Sequence, residues 1–433
     1  MATTGSNITI GKGDCSLRSI ELFVGAGGLA IGAAHAGFEH EAVIDFDRFA
    51  CATLRRNKAD QVAPARDWDI LESDVREYDF SRHRGKVDVV IGGPPCQPFS
   101  LGGKHLGAAD RRNMFPQAIR SVREIAPKAF MFENVRGLLR RNFSNYYSYI
   151  IKQLTFPTLV PNGDEEWVDH LARLERQATK GRYSGLRYNV VFRLLDAADF
   201  GVPQHRHRVF IVGIRSDLGV EFAFPHATHT EDALLYDKWV TGEYWDRHGI
   251  ATHARPVITP AIHRRVNSLG GLVPGMLGHP WRTVRDAIGD LPILAPGGSS
   301  RKFKNHFQNP GARSYAGHDG SPMDEPAKAL KAGDHGVPGG ENTVRVDGGG
   351  IRYLTVRECA RLQTFPDNWG LEGSWTESMR QLGNAVPALL GEVVAKRLRE
   401  VLSPAAQLSD QWARAAAVRL LADTGGSARQ SAL

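Results

Sequence analysis

The apolar positions of this 433-residue chain fall into two textures. Over the first half, short runs rich in β-branched residues recur at residues 19–23, 42–45, 87–91, 128–132, 188–195 and 208–214. Each is bounded by glycine, proline or charge, the pattern of strands buried on both faces of a mostly parallel sheet. Between them, the run from Leu29 reads as helical, and residues 115–126 carry the period of an amphipathic helix. Alternation of this kind predicts an α/β fold on an open sheet. Residues 142–188 read as helical and polar, with charge clustered at 164–166 and 173–176, and are expected to embellish that fold.

From residue 216 to 350 the helical period fades, and glycine, proline, histidine and arginine interrupt every run. Basic residues are interleaved there with Trp245, Trp281, Phe303, Phe307 and Tyr315. A loop-rich second domain with a basic, aromatic-bearing surface is expected, as nucleic-acid binding requires. Regular structure resumes at Thr355 and Glu358, spaced as a capping box, on a helix through Leu362 in which Cys359 belongs to the core. Residues 381–387 (QLGNAVP) read as a loop, with Pro387 as the first residue of a last helix whose apolar face is Leu390, Val393, Val394, Leu398 and Val401. The expected organisation is a flexible lead-in (1–16), a catalytic and cofactor-binding domain (17–215), the loop-rich domain (216–350), a return to the first domain (351–403) and a peripheral tail (404–433).

The stretch that most narrows the chemistry is GGPPCQPFS, residues 92–100. Pro95 and Pro98 fix their own φ and restrict their neighbours, so the Cys96 thiol has a set direction. The loop follows a buried strand, where open α/β sheets place ligand sites. A thiol built this way reads as a nucleophile rather than as core. The first strand is followed by Val24-Gly25-Ala26-Gly27-Gly28, a glycine turn that lets backbone approach a ligand. The second strand ends in Asp45, about 20 residues on, where an acid can meet ribose hydroxyls. Phe46 could cover an adenine, and Asp74 is a third acid in the same region. No Lys-Ser/Thr follows the glycines, so an adenosine-containing cofactor is favoured over a phosphate cradle. Glu133 closes another buried strand, poised for a raised pKa or for pairing with Arg136. Arg206 and Arg208 alternate onto one face, and buried guanidiniums call for an anion or a polar substrate. Residues 102–112, glycine-rich and basic, read either as a phosphate-touching loop or as a solvated one.

Net charge is +7, a mild bias toward a polyanion. Cys15, Cys51, Cys96 and Cys359 show neither metal-type spacing nor a disulfide framework, so no metal is expected and a reducing compartment fits. No signal core or membrane-length apolar run appears, and a soluble cytoplasmic protein is expected.

Taken in order, these motifs resemble the cytosine-5 DNA methyltransferases of bacterial type. LFVGAGG is similar to that family's cofactor motif, GGPPCQPFS to its nucleophile loop, and FENV and QHRHR to its ENV and QxRxR motifs. RYLTVRECARLQTFP and QLGNAVP resemble its closing motifs. Glu21 stands where Asp is usual, Asp45 where Glu is usual, Phe46 where Trp is common and Phe115 where Leu often touches the cofactor. The resemblance implies a Rossmann-like S-adenosylmethionine-dependent methyltransferase sheet, with residues 216–350 as target-recognition domain. It implies Cys96 as nucleophile aided by Pro95, Glu133 on ring nitrogen 3, and Arg208 with Arg206 on the oxygen 2 side. On the cofactor it implies Phe23, Gly25, Gly27 and Gly28 at the methionine end, Asp45 at the ribose, Phe46 and Asp74 at the adenine, Phe115 beside it, and Asn384 at the amino-acid end. The expected partner is double-stranded DNA, with a restriction endonuclease acting on the same site, and the expected state is a monomer. Two other readings share the scaffold. A tRNA-methylating enzyme would carry Thr where Ser100 stands, and an inactive DNA-binding regulator would lose Cys96 or Glu133.

Overall fold

In the computed structural model, which describes residues 16–95, 113–271, 274–314, 319–332 and 342–403, the strand-like runs become consecutive elements. They are β1 (Leu17–Leu22), α1 (Gly28–His35), β2 (Phe38–Asp45), α2 (Arg48–Ala59), β3 (Ile70–Glu72), β4 (Val89–Gly92), α3 (Phe115–Ile125) and β5 (Ala129–Val135). Then come α4 (Ser144–Thr155), α5 (Trp167–Lys180), β6 (Tyr188–Asp196) and β7 (His207–Arg215). These seven strands form one sheet in the order β3-β2-β1-β4-β5-β7-β6. All run one way except β7, which is antiparallel to both neighbours. Register aligns Ile44, Leu22, Gly92 and Phe132 across β2, β1, β4 and β5. Asp45 and Glu133 therefore each stand one residue beyond a common row, at the carboxyl edge.

Both faces of the sheet are covered, as an almost continuous apolar strand pattern demands. On one face Ile20, Leu22, Val90, Phe130, Phe132 and Ile211 pack against Phe115, Ile119 and Val122 of α3 and against α4. On the other, Val89, Ile91, Met131, Phe210 and Val212 meet Leu29 and Ala33 of α1 and the last helix. The expectation that residues 142–188 merely embellish the fold is corrected here. Tyr146, Tyr147, Tyr149, Ile150, Leu154 and Leu174 are all buried in the first of these cores. The tyrosines read as polar in sequence, but their rings bury; the Tyr149 hydroxyl meets His170 Nδ1 at 2.8 Å and that of Tyr146 accepts from Asn113 Nδ2, whereas that of Tyr147 is buried without a partner among the described residues. Ile150 and Leu154 alone contribute about 1.5–3 kcal/mol each by burial.

The next stretch holds β8 (His229–Thr230), α6 (Glu231–Tyr236), α7 (Glu243–Arg247), α8 (Pro260–Leu269), β9 (His279–Pro280) and α9 (Val284–Ile288). It is short-helical rather than only loops, and it divides in two. Residues around 234–269 build two small cores of their own. Val284, Ile288, Leu291, Ala327, Leu330 and Val344 instead join a cluster with Val24, Ala30 and Trp68 of the sheet domain. Trp245, expected on the aromatic surface, is wholly buried beside Leu234 and Tyr244; Phe307 does remain exposed. Tyr315 lies outside the described residues.

The chain closes with β10 (Thr343–Arg345), β11 (Ile351–Tyr353), α10 (Val356–Leu362), α11 (Trp375–Asn384) and α12 (Ala388–Leu402). The Thr355–Glu358 capping box forms, and Cys359 is buried. Residues 381–384 are the last turn of α11 rather than a loop, because Ser374 caps that helix and Met379 and Leu382 anchor its inner face. Ala385 is already extended (ψ 150°), and Pro387 is the N-cap of α12 rather than its first helical residue. No helix among the described residues is long and apolar enough to cross a membrane.

Candidate active site

A parallel sheet gathers the carboxyl ends of its strands along one edge, and here a reversed strand adds to them. The antiparallel β7 brings its amino end, with Arg208, to the edge where β1, β2, β4 and β5 finish. Glu133 lies opposite Phe210, and Val135 opposite Arg208. Side chains alternate along a strand, so Glu133 and Arg208 are diagonal neighbours on one face.

On the β1–β2 side, Phe23 is not part of β1; it takes φ 58°, followed by Gly25 at φ 55° and Gly27 at φ 91°. A non-glycine residue held left-handed is costly and concentrates at functional turns. Asp45 locks this turn: its Oδ2 accepts from the Gly25 N–H at 2.8 Å and its Oδ1 from the Asp47 N–H at 2.9 Å. Burial pushes its carboxyl pKa up while those N–H groups hold it down. Each oxygen keeps a second lone pair for a hydroxyl. A Cβ on Gly25 would meet nothing within 4 Å, so open space lies above the turn. Phe46 presents 68% of its surface beside Asp45. An open turn, an acid with free lone pairs and a bare ring fit an adenosine-bearing ligand.

Other residues expected on the cofactor are placed differently. A Cβ on Gly28 would come within 2.1 Å of the Val386 carbonyl oxygen, so this glycine permits docking of the closing segment. Gly27 faces Leu54 and Trp369, whose atoms would lie 3.0 and 3.1 Å from an added Cβ. Phe115, the first residue of α3, is fully buried, its ring packed into the core that lines one face of the sheet. Asp74 already accepts from the Arg76 Nε at 2.9 Å and from its backbone N–H at 2.9 Å, and these contacts hold its pKa below the carboxylate range. Asn384 is exposed at the end of α11.

Cys96 and residues 97–112 lie outside the described residues, but the neck of their loop is defined. Asn134 donates from Nδ2 to the Pro94 carbonyl at 2.9 Å, and the Met114 N–H donates to the Pro95 carbonyl at 3.0 Å. An added Cβ on Gly93 would stand 3.3 Å from Glu133 Oε2, so the neck runs directly past that acid. Glu133 is buried and its Oε1 pairs with Arg208 Nε at 2.6 Å. Arg136 is not its partner. Burial raises the Glu133 pKa, opposed by Arg208 and Arg206.

Arg206 departs from the expectation that both arginines face a substrate. It is buried, with Nη1 donating to the Leu330 carbonyl at 3.0 Å and Nη2 to the Gly383 carbonyl at 2.5 Å. Its two ends are thereby committed to main chain, while its charge still acts on Glu133 and Arg208. Gln204 extends this seat, accepting from the Leu330 N–H at 3.0 Å and donating to the Leu362 carbonyl at 3.2 Å. A Cβ on Gly383 would strike the backbone of Ala332 at 2.3 Å. Gln204, Asn134 and Gly383 were not singled out for these roles by sequence reasoning; their shared signal is a polar or glycine residue inside an otherwise apolar motif. No metal-holding cluster occurs among the described residues.

The chain matches the C-5 cytosine-specific DNA methylases over residues 17–156 and 169–400. It belongs to that family. The break in the match, residues 157–168, falls after α4 and runs into the first residues of α5 of this methylase. The type II methyltransferase M.PspPI of Psychrobacter sp. (strain TA137) is 33% identical over 395 residues, covering 90% of this chain and 80% of that protein. M.Eco47II of Escherichia coli is 32% identical over 387 residues, covering 88% and 79%. The S. pombe Dnmt2 methyltransferase structure superposes with a TM-score of 0.50 at 16% identity, covering 90% of this chain and 99% of that one. That likeness shows the fold alone. The cytosine-5 methylase resemblance and the α/β methyltransferase sheet expected from the motifs therefore hold.

Proposed function

We propose that this methylase moves a methyl group from S-adenosylmethionine to carbon 5 of a cytosine flipped out of duplex DNA, within a restriction–modification system. The observation that carries the site assignment is the buried Glu133–Arg208 pair at 2.6 Å, against the neck of the Cys96 loop. Its relatives' description as type II methyltransferases supports the biological setting and a restriction endonuclease reading the same site.

The turn at residues 23–28 would hold the methionine end of the cofactor, Asp45 the ribose hydroxyls, Phe46 the adenine face and Asn384 the amino-acid end. Asp74 reaches the adenine only in competition with Arg76. When bound, the cofactor supplies an electrophilic methyl group. The chain's task is to make carbon 5 nucleophilic. The Cys96 thiolate adds to carbon 6, breaking ring aromaticity and driving electrons toward nitrogen 3 and oxygen 2. Glu133, kept protonated more readily by burial, donates to nitrogen 3. Arg208 orients Glu133 and offers its remaining N–H groups to oxygen 2, with Arg206 behind it as a structural tie. Once carbon 5 carries the methyl group, loss of its proton to a base expels Cys96 and restores the aromatic ring. Extrusion of the cytosine costs a few kcal/mol, offset by contacts from residues 216–350 and from 102–112.

Bisulfite sequencing of DNA from cells expressing the chain tests this directly. Methylcytosine at one recurring sequence, abolished by Cys96→Ser, is expected. Unmodified DNA in cells that hold the folded protein would overturn it, and methylated tRNA in its place would move the enzyme to the other substrate.

A further inference from the structure

β6 ends on Asp196, and one carboxylate there gathers the segment that delivers both arginines. Its Oδ1 accepts from the Arg206 backbone N–H at 2.9 Å. Its Oδ2 accepts from His205 Nδ1 at 2.8 Å, and His207 Nε2 stands 3.7 Å away. The imidazoles at 205 and 207 alternate with the guanidiniums at 206 and 208, so histidines meet Asp196 while the arginines turn the other way. The His205 ring also lies edge-on to Trp281, 4.7 Å between centroids, and Trp281 Nε1 donates to Asp199 Oδ1 at 3.0 Å.

We propose that Asp196 and His205 form a positioning pair for Arg208, fixing the turn into β7 and hence the reach of Arg208 to Glu133. The proposal rests on the roles assigned above to Glu133 and Arg208. Neither Asp196 nor His205 touches the reacting atoms. Their effect passes through backbone: Leu195 lies opposite Arg208 and Asp196 opposite His207, so a slip at Asp196 shifts the start of β7. A displacement near 1 Å at a catalytic group can slow chemistry on the order of 100-fold.

Charge enters because the pair is ionic. Burial raises the Asp196 pKa, but His205 and His207 outweigh it and hold the carboxyl low. The hydrogen bond to Asp196 raises the His205 pKa against burial, with Asp199 and Glu325 as the other acids facing the ring. An imidazole raised in this way is fully paired below its ordinary value and loses the pairing as pH climbs through the raised one.

Single-turnover methyl transfer, with duplex and cofactor prebound, is measured from about pH 6 to about pH 9 for wild type, Asp196→Asn, His205→Gln and the double variant. Asparagine keeps an acceptor for the Arg206 N–H, and glutamine keeps a donor, so mainly charge is removed. At the acid end each single variant is expected to slow transfer on the order of 10-fold, the double no further, and the DNA Kd, measured separately, to change less than about twofold. The ratio to wild type should shrink toward one at the alkaline end. An equal loss at every pH, or none, would overturn the pair. Should Asp196→Asn melt below the assay temperature, His205→Gln alone reports the same ratio, its ring being more than a third exposed. Arg208→Ala and Glu133→Gln in the same series separate the levels: full activity in either would defeat the site assignment itself.

Discussion

Asn134→Ala tests whether the neck of the nucleophile loop is aimed by one side chain. Asn134 is buried at the carboxyl end of β5, its Nδ2 donating to Pro94 at 2.9 Å and its Oδ1 accepting from the Val135 N–H at 2.9 Å. Alanine removes the donor and leaves the carbonyl of a buried proline without its partner. Such a loss costs about 1–3 kcal/mol, because desolvation of the carbonyl is no longer compensated. In a chain of this size that lowers Tm by only a few degrees, so the protein remains folded. The larger effect falls on rate. Pro94 is two residues from Cys96, and release of its carbonyl lets the thiol wander by a distance on the order of 1 Å, worth about 100-fold in chemistry. Asn134→Asp is expected to be worse than alanine, since it sets a carboxylate oxygen against the Pro94 oxygen. The assay is single-turnover transfer of labelled methyl to cognate duplex, with cofactor affinity by calorimetry and Tm by scanning. A large drop in transfer, unchanged cofactor affinity and a small drop in Tm are expected. Transfer at the wild-type rate in Asn134→Ala would refute the claim that this hydrogen bond aims Cys96.

Glu133→Gln should bind cofactor normally yet slow transfer by about 100-fold or more, read by the same single-turnover assay, because an amide is a far weaker acid. Gly383→Ala drives a methyl into the Ala332 backbone, where neighbours cannot yield cheaply, and should cost about 1–3 kcal/mol in urea unfolding. His40 is buried between Ser19 and the Ala30 carbonyl, and burial pushes its pKa down to about 4. The unfolded chain protonates near 6.5, so its contribution is present above that value and lost as pH falls toward 4. Glu21, 3.9 Å away and raised by burial, carries the opposite slope, its contribution present in acid and lost as pH rises. The two are separated by comparing His40→Gln with wild type by urea unfolding across that window: the variant should lack the acid-side loss.

Sequence reasoning located the strand ends well, because glycine and proline mark where buried β-branched runs stop. Asp45, Glu133 and Arg208 do meet at one edge. What it could not see is how far a long side chain travels. Arg206 reaches carbonyls 124 and 177 positions away, and nothing in QHRHR distinguishes a guanidinium bound to main chain from one bound to substrate. The reversal of β7 was equally hidden, since an apolar run is alike in either direction. Tyrosines in α4 and Trp245 were misread for a shared reason: an amphipathic ring declares its burial only through its neighbours. Phe115 was placed on the cofactor by likeness to a leucine, whereas its larger ring is absorbed by the core.

The seat formed by Gln204, His205 and Arg206 grips residues 327 and 330 through peptide groups, not side chains. The hydrogen bonds of that clasp do not depend on the side chains of the segment it holds, although Ala327 and Leu330 themselves pack into the core. Recognition loops upstream could drift, or be grafted from a relative, while their anchor to the catalytic half survives. Such exchanges would succeed when the cut is made before residue 327 and fail when it is made within the clasp.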